Sequence, residues 1–288
     1  MQDHFYCESC EPGSYCVHNQ INAMPYISTG KEQLHYVQSG TGKRVLLAFH
    51  GFGESSSRFL VFNPELAAGY TILAFDLPHH GDSIWQYGVR LDADGLRQLI
   101  ENVKQKFAVS VVSLMGYSIG GRVCLSIIAT VPDSIEQVLL LATDGLSLNY
   151  NYLFLTRTFA GRSFFKFMLG APKTAHSIAR ALHGLRVISP TRYRLVVGAT
   201  DTSAKRVQLY NGWYSLSHLV VAPEKLRSVI NAHAIRVVVI MGKYDKVLPP
   251  QLAHSFAKGA TSMRVIVLPK GHKLFDETNV GEIAGYLL

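Results

Sequence analysis

Long apolar runs are missing from this chain of 288 residues. No stretch reaches the roughly 18 consecutive apolar residues that a membrane span needs, so no transmembrane segment is expected. The opening MQDHFYCESCEPGSYCVHNQ has no apolar centre either, which argues against a signal peptide and for a cytoplasmic protein. Cysteine is scarce, four in all, and Cys7, Cys10 and Cys16 crowd the N-terminus beside His4 and His18. A C-x-x-C with a third Cys and a His can close a zinc tetrahedron, but the second C-x-x-C of a zinc ribbon is absent. A disulfide or a plain extension over residues 1–24 are the other readings. Cys124 reads as a small buried core residue. Cation runs are lacking as well. The formal charge is +8, from 28 Lys and Arg against 20 acidic residues, yet no run exceeds two and the excess reads as spread rather than striped. That argues against a nucleic-acid partner and leaves three readings of the charge: an anionic or carrier-linked small-molecule substrate, an acidic partner, or solubility alone. Neither an internal repeat nor a low-complexity segment occurs.

What is present centres on Val111 to Val123, VVSLMGYSIGGRV. An apolar run ends in Gly116-Tyr117-Ser118-Ile119-Gly120 and passes directly into a helix-like segment, the pattern of a nucleophile elbow. A strand that reverses into a helix around one serine forces that residue into a strained backbone, and only residues as small as Gly116 and Gly120 fit on either side. The turn lifts the Ser118 hydroxyl over the positive end of the following helix. The backbone N–H of Ile119 is then one candidate oxyanion donor.

Taken in order, Tyr26 to Gly40 reads as two short strands joined at Gly30-Lys31. Val45 to Phe49 is a buried strand closed by His50-Gly51-Phe52-Gly53, whose glycines allow the Phe52 N–H to face a ligand as a second oxyanion donor. His50 reads as structural. Thr71 to Asp76 is the next strand and runs into LPHHGDS, a loop that Asp76 and Asp82 are expected to hold through backbone hydrogen bonds. Leu91 to Phe107 carries a helical apolar face. After the elbow comes another buried strand, Gln137 to Gly145. The rhythm of strand, helix, strand implies parallel pairing with right-handed crossovers. From Leu146 to about His233 it gives way to helical patterns dense in aromatics and cations, read as a helical cap. Arg236 to Met241 and Met263 to Leu268 resume the strands, ending in GKYDKVLP and PKGH. The expected division is an extension (1–24), a core (25–146 and 234–288) and a cap (147–233). The length and the 48% hydrophobic content suffice for one large core carrying such an insertion.

Chemistry in an open parallel sheet collects at the carboxyl ends of the strands. Four such ends carry the Phe52 N–H, Ser118, Asp245 and His272. A serine hydroxyl needs a neutral imidazole to take its proton, and the imidazole needs a carboxylate to fix its tautomer. With HGFG, DLPHHGDS, GYSIGG, GKYDKVLP and GHKL in place, the chain resembles the α/β-hydrolase fold superfamily, in its capped epoxide-hydrolase-like and C–C-hydrolase-like branch. The resemblance covers Pro25 to Leu288. It implies an α/β fold with a mostly parallel central sheet flanked by helices and a helical cap inserted after the sixth strand. It also implies Ser118 as nucleophile, His272 as base, Asp245 as acid, and Phe52 and Ile119 as the oxyanion hole, with no metal or organic cofactor. Gly51, Tyr117 and Arg122 are the expected substrate contacts. Asp144, at the end of the strand before the cap, is a rival acid. His79 stands where the family's D-x-P-G-x-G loop has glycine. His80, His176, His183, His218, His233 and His254 are read as surface or cap residues.

The activity so implied is cleavage of a carboxylic ester or related acyl bond through an acyl-enzyme. Two rivals stand beside it. One is a C–C hydrolase or lyase acting on an anionic metabolite, since GYSIGGRV with Arg122 is similar to the elbow of a synthase of menaquinone biosynthesis. The other is a hydrolase-fold binding or receptor protein with little turnover.

Overall fold

A computed structural model describes residues 25–287. The N-terminal cysteines, with the zinc, disulfide and extension readings attached to them, lie outside the described residues. Eight strands form one sheet: β1 (Tyr26–Ser28), β2 (Gln33–Ser39), β3 (Arg44–Phe49), β4 (Tyr70–Phe75), β5 (Val112–Tyr117), β6 (Ile135–Leu141), β7 (Arg236–Gly242) and β8 (Met263–Leu268). Their spatial order is β1-β2-β4-β3-β5-β6-β7-β8. The first two are antiparallel, the pair expected around Gly30-Lys31, and β2 joins β4 antiparallel; every pairing from β4 to β8 is parallel. The runs VLLAF, VSLMGY and QVLLL lie in the sheet interior and are buried on both faces, which is why they show no alternation.

Helices cover both faces. On one side lie α2 (Ala93–Phe107) and α3 (Ile119–Thr130). Asp92 caps α2 by accepting a hydrogen bond from the Gly95 N–H at 3.0 Å, and Leu96, Leu99, Ile100 and Val103 form its buried stripe. On the other side a 3₁₀ segment (Ser56–Phe62), α1 (Asn63–Leu66) and the C-terminal helix (Val280–Ala284) bring Phe59, Phe62, Leu66 and Ile283 onto the sheet. Cys124 is buried within α3, and burial pushes its thiol pKa up.

Between β6 and β7 the chain leaves the sheet and forms six helices: α4 (Tyr150–Arg157), α5 (Phe159–Gly170), α6 (Pro172–Gly184), α7 (Pro190–Thr200), α8 (Ser203–Ser215) and α9 (Pro223–Ala232). This is the helical insert expected after the sixth strand. Its last helix behaves differently from the others, because Leu226 and Ile230 are buried in the same cluster as Val123 and Ile127 of α3. In the sequence α9 shows only an amphipathic stripe, which does not say whether that stripe meets an insert or the sheet layer. Between β7 and β8, α10 (Gln251–Ala257) completes the coverage.

Candidate active site

Ser118 sits between β5 and α3 with φ 52° and ψ −117°, a left-handed backbone that costs a serine strain. The elbow admits no other shape. A Cβ on Gly120 would lie 1.9 Å from the Phe49 carbonyl oxygen, and one on Gly116 2.6 Å from the Gly121 Cα. The strained residue is pinned on both sides: its N–H donates to the Leu141 carbonyl at 2.9 Å, and its carbonyl accepts from the N–H groups of Gly121 at 3.0 Å and Asp144 at 2.9 Å.

Two loops bring partners to this serine. The loop after β8 places His272 Nε2 3.1 Å from Ser118 Oγ, and the loop after β7 places Asp245 Oδ2 2.7 Å from His272 Nδ1. Asp245 is held by the N–H groups of Val247 and Leu248, which donate to its Oδ1 at 2.8 and 2.9 Å. With Nδ1–H donating to the carboxylate, the Nε2 lone pair is left facing the serine hydroxyl. The rival carboxylate is engaged elsewhere: Asp144 accepts from Arg122 Nη2 and, at 2.7 Å, from the Gly145 N–H.

Ile119 is the first residue of α3, where a backbone N–H has no partner in its own helix. The Phe52 N–H likewise has no backbone acceptor among the described residues.

The expected substrate contacts fare differently. Tyr117 is buried, with its hydroxyl donating to the His272 carbonyl at 2.9 Å, and burial raises its pKa. Arg122 is buried as well, paired with Asp144 and stacked 4.0 Å from the centre of the Tyr152 ring. Gly51 donates its N–H to Glu54 Oε2 at 3.3 Å. Each of the three already has a protein partner, because the elbow and the HGFG turn are closed by their own side chains.

Those closures centre on histidine. His50 is wholly buried; its Nδ1–H donates to the Gly51 carbonyl at 2.7 Å and its Nε2 accepts from the Leu77 N–H at 3.0 Å. Burial first, and the neighbouring His80 second, lower its pKa to about 4. His80, read from the sequence as a surface residue, is 2% exposed. Its Nδ1–H donates to the Pro78 carbonyl at 3.0 Å, and its Nε2 accepts from the Gly53 N–H at 3.1 Å, so it fixes the turn that carries Phe52. His79 takes the left-handed conformation (φ 62°) that glycine would adopt at lower cost. Its ring stacks on Tyr87 and approaches Ser215 Oγ of α8 at 3.1 Å, tying the loop to the insert. Asp76 holds the same loop, accepting from the N–H groups of Ser56 (2.6 Å) and Asp82 (3.1 Å) and from His35 Nδ1–H (2.7 Å). These hydrogen bonds depress its pKa against the opposing effect of burial. The contribution of Asp82 is its N–H, since its side chain is exposed.

One group near the site has no sequence signature. The Glu54 carboxylate lies against the Gly51 N–H and 3.4 Å from Arg58 Nε, and burial raises its pKa while Arg58 opposes the rise. Only its position three residues beyond Gly51 could have suggested a carboxylate returning to that N–H. Among the described residues, His35, Asp76 and Asp82 bring possible metal-ligand atoms within 4.8 Å of one another. The Asp76 oxygens there already accept the loop's hydrogen bonds.

Residues 44–278 match the family described as alpha/beta hydrolase fold, over four-fifths of the chain. The chain belongs to that family. This alpha/beta hydrolase is similar in structure to a thermophilic esterase from Thermogutta terrifontis, with a TM-score of 0.63 and 16% identity, covering 91% of this chain and 96% of that one. It is similar also to 2-hydroxy-6-oxo-6-phenylhexa-2,4-dienoate hydrolase from a Rhodococcus strain, with a TM-score of 0.60 and 20% identity, covering 91% and 97% of the two chains. Among curated proteins it is 33% identical over 116 residues to the dihydrolipoyllysine-residue acetyltransferase component of an acetoin cleaving system from Pseudomonas putida. That match covers 40% of this chain and 31% of the relative, so the hydrolase spans about a third of that protein's length. Among its described residues no helix is long and apolar enough to cross a membrane.

Proposed function

We propose that this alpha/beta hydrolase cleaves a carboxylic ester or related acyl bond through an acyl-enzyme on Ser118. The observation that carries this reading is the hydrogen-bonded line from Ser118 Oγ through His272 to Asp245, at 3.1 and 2.7 Å. In the reaction, Oγ attacks the acyl carbon as its proton passes to Nε2 of His272. The oxyanion is held by the N–H groups of Phe52 and Ile119, each worth roughly 3 kcal/mol in the transition state. The C–O bond breaks as the imidazolium returns its proton to the departing alcohol. Water then attacks the acyl carbon as it gives a proton to the same nitrogen; the C–Oγ bond breaks as the imidazolium returns that proton to Oγ, freeing the acid and restoring the serine. Asp245 keeps the imidazole in the productive tautomer throughout.

The substrate we assign is a small to medium anionic acyl compound. An open cleft of about 610 Å³ lies beside Asp245; its lining includes Arg186 from the insert with Lys243 and Lys246 from the loop after β7, but neither Ser118 nor His272, so it is an outer approach to the site and not the acyl pocket. Cations from both walls favour a carboxylate or phosphate on the substrate. Helices α4–α8 act as the cap in this reading.

The test is turnover of p-nitrophenyl esters from acetate to decanoate by the wild type and Ser118→Ala. A burst followed by turnover is expected, lost by about 10⁴-fold or more in the alanine variant. Undiminished turnover in Ser118→Ala would remove the serine from the mechanism. Absence of turnover by either protein across the series would remove simple esters as substrates.

A further inference from the structure

The positive charge of the chain is concentrated, although its short runs make it look dispersed. Between Tyr150 and Ser215 there are ten lysines and arginines and one acidic residue, Asp201. The net +8 of the whole chain is therefore carried by the insert, the remainder being close to neutral. Asp201 is itself paired with Lys205 at 3.0 Å.

The same insert presents aromatic rings to solvent. On α5, Phe159, Phe164 and Phe167 are 80%, 53% and 63% exposed, whereas Phe165 points inward and packs on Tyr210 and Trp213. At 100° per residue Phe159, Ser163, Phe167, Ala160 and Phe164 fall on one continuous arc of the helix, with Lys166 and Arg162 along one edge. Tyr150 and Phe154 of the adjacent α4 are exposed too. The core has helices to spend on its own faces, and this face is left over. Exposed phenylalanines are costly in water, and three on one helix face mark a surface that meets something apolar.

We propose that the α4–α5 face binds an anionic lipid surface, lying in the headgroup layer with its rings inserted and its cations paired to lipid phosphates. The pairing of an apolar arc with a flanking cationic edge is what an interfacial helix uses: rings enter the acyl boundary while long basic side chains reach back to phosphate. A second copy of the chain fits less well, because closing two such faces would bring insert against insert, cation against cation. An acidic soluble protein would match the charge but not the rings. The proposal rests on the insert and not on the reaction assigned to Ser118.

Co-sedimentation with vesicles tests it. The wild type is expected to bind vesicles of phosphatidylcholine mixed with phosphatidylglycerol, and to bind pure phosphatidylcholine at least tenfold less. The combined Phe159→Ser, Phe164→Ser, Phe167→Ser variant should lose at least tenfold in partitioning while its urea midpoint stays unchanged, since the replaced rings are exposed. Arg162→Gln with Lys166→Gln should lose the preference for phosphatidylglycerol. Ser118→Ala should bind like the wild type, which separates this face from the catalytic reading. The proposal is overturned if the wild type binds neither vesicle, or if the triple serine variant binds as well as the wild type. Light scattering that shows a dimer dissolved by the triple substitution would give the face to a second copy. Retention on polyglutamate without vesicle binding would give it to an acidic protein.

Discussion

Acidification charges His50, and the consequence can be worked out from its surroundings. Folded, the ring titrates at about 4; unfolded, near 6.5. The fold thus favours the neutral ring, whose Nε2 must stay unprotonated to accept from the Leu77 N–H. Because the folded pKa is the lower one, the stability this gives is full above pH 6.5 and is lost as pH falls from 6.5 towards 4. Linkage sets the slope near the middle of that window at about 1.2 kcal/mol per pH unit, and the loss between pH 7 and pH 4.5 at about 2.5 kcal/mol. Urea unfolding at half-unit intervals reads this directly. Other buried histidines contribute in the same window, so the decisive comparison is with His50→Gln, whose amide supplies an acceptor and a donor but takes up no proton. That variant should be less stable at pH 7 and lose about 2.5 kcal/mol less than the wild type on going to pH 4.5. Equal losses in the two proteins would refute the assignment of this proton to His50.

Three further outcomes follow from the geometry. Asp245→Asn should lower kcat on p-nitrophenyl esters about 10⁴-fold by spoiling the imidazole tautomer, whereas Asp144→Asn should leave Ser118 competent and chiefly lower thermal stability. Gly120→Ala places a methyl on the Phe49 carbonyl, so the protein should be destabilised by several kcal/mol in urea and inactive even where folded. Asp76→Ala orphans the Ser56 and Asp82 N–H groups and should cost about 3–5 kcal/mol, read as a drop in the unfolding midpoint at constant m-value.

The sheet was legible because its strands are buried on both faces and so read as uninterrupted Val, Ile and Leu. Each strand end carrying a reactive residue also carries a short glycine signature that survives without context. That is how Ser118, Asp245 and His272 could be singled out from separate parts of the chain, and they do lie within hydrogen-bonding reach. Residues that act through folded geometry carry no such mark. His80 stands in a loop rich in Pro, Gly and Asp, where position alone suggests exposure; its ring is held inside by the Pro78 carbonyl and the Gly53 N–H. Tyr117 and Arg122 look free in the motif, yet each is engaged by a neighbour distant in sequence, the Tyr117 hydroxyl by the His272 carbonyl and Arg122 Nη2 by Asp144, while Arg122 Nη1 is buried without a hydrogen-bond partner among the described residues. Nor does the stripe on α9 announce that it faces α3. Glu54 has only spacing, and spacing of three is common in any turn.

The hydroxyl of Tyr117 on the His272 carbonyl joins two pieces of chain 155 residues apart. A rigid phenol rooted next to Ser118 thus serves as a gauge block for the loop that carries His272. Serine and histidine are spaced by one covalent ring rather than by the independent drift of two segments. Tolerances in that spacing are set by a buried side chain whose hydroxyl is spent on the histidine's own loop.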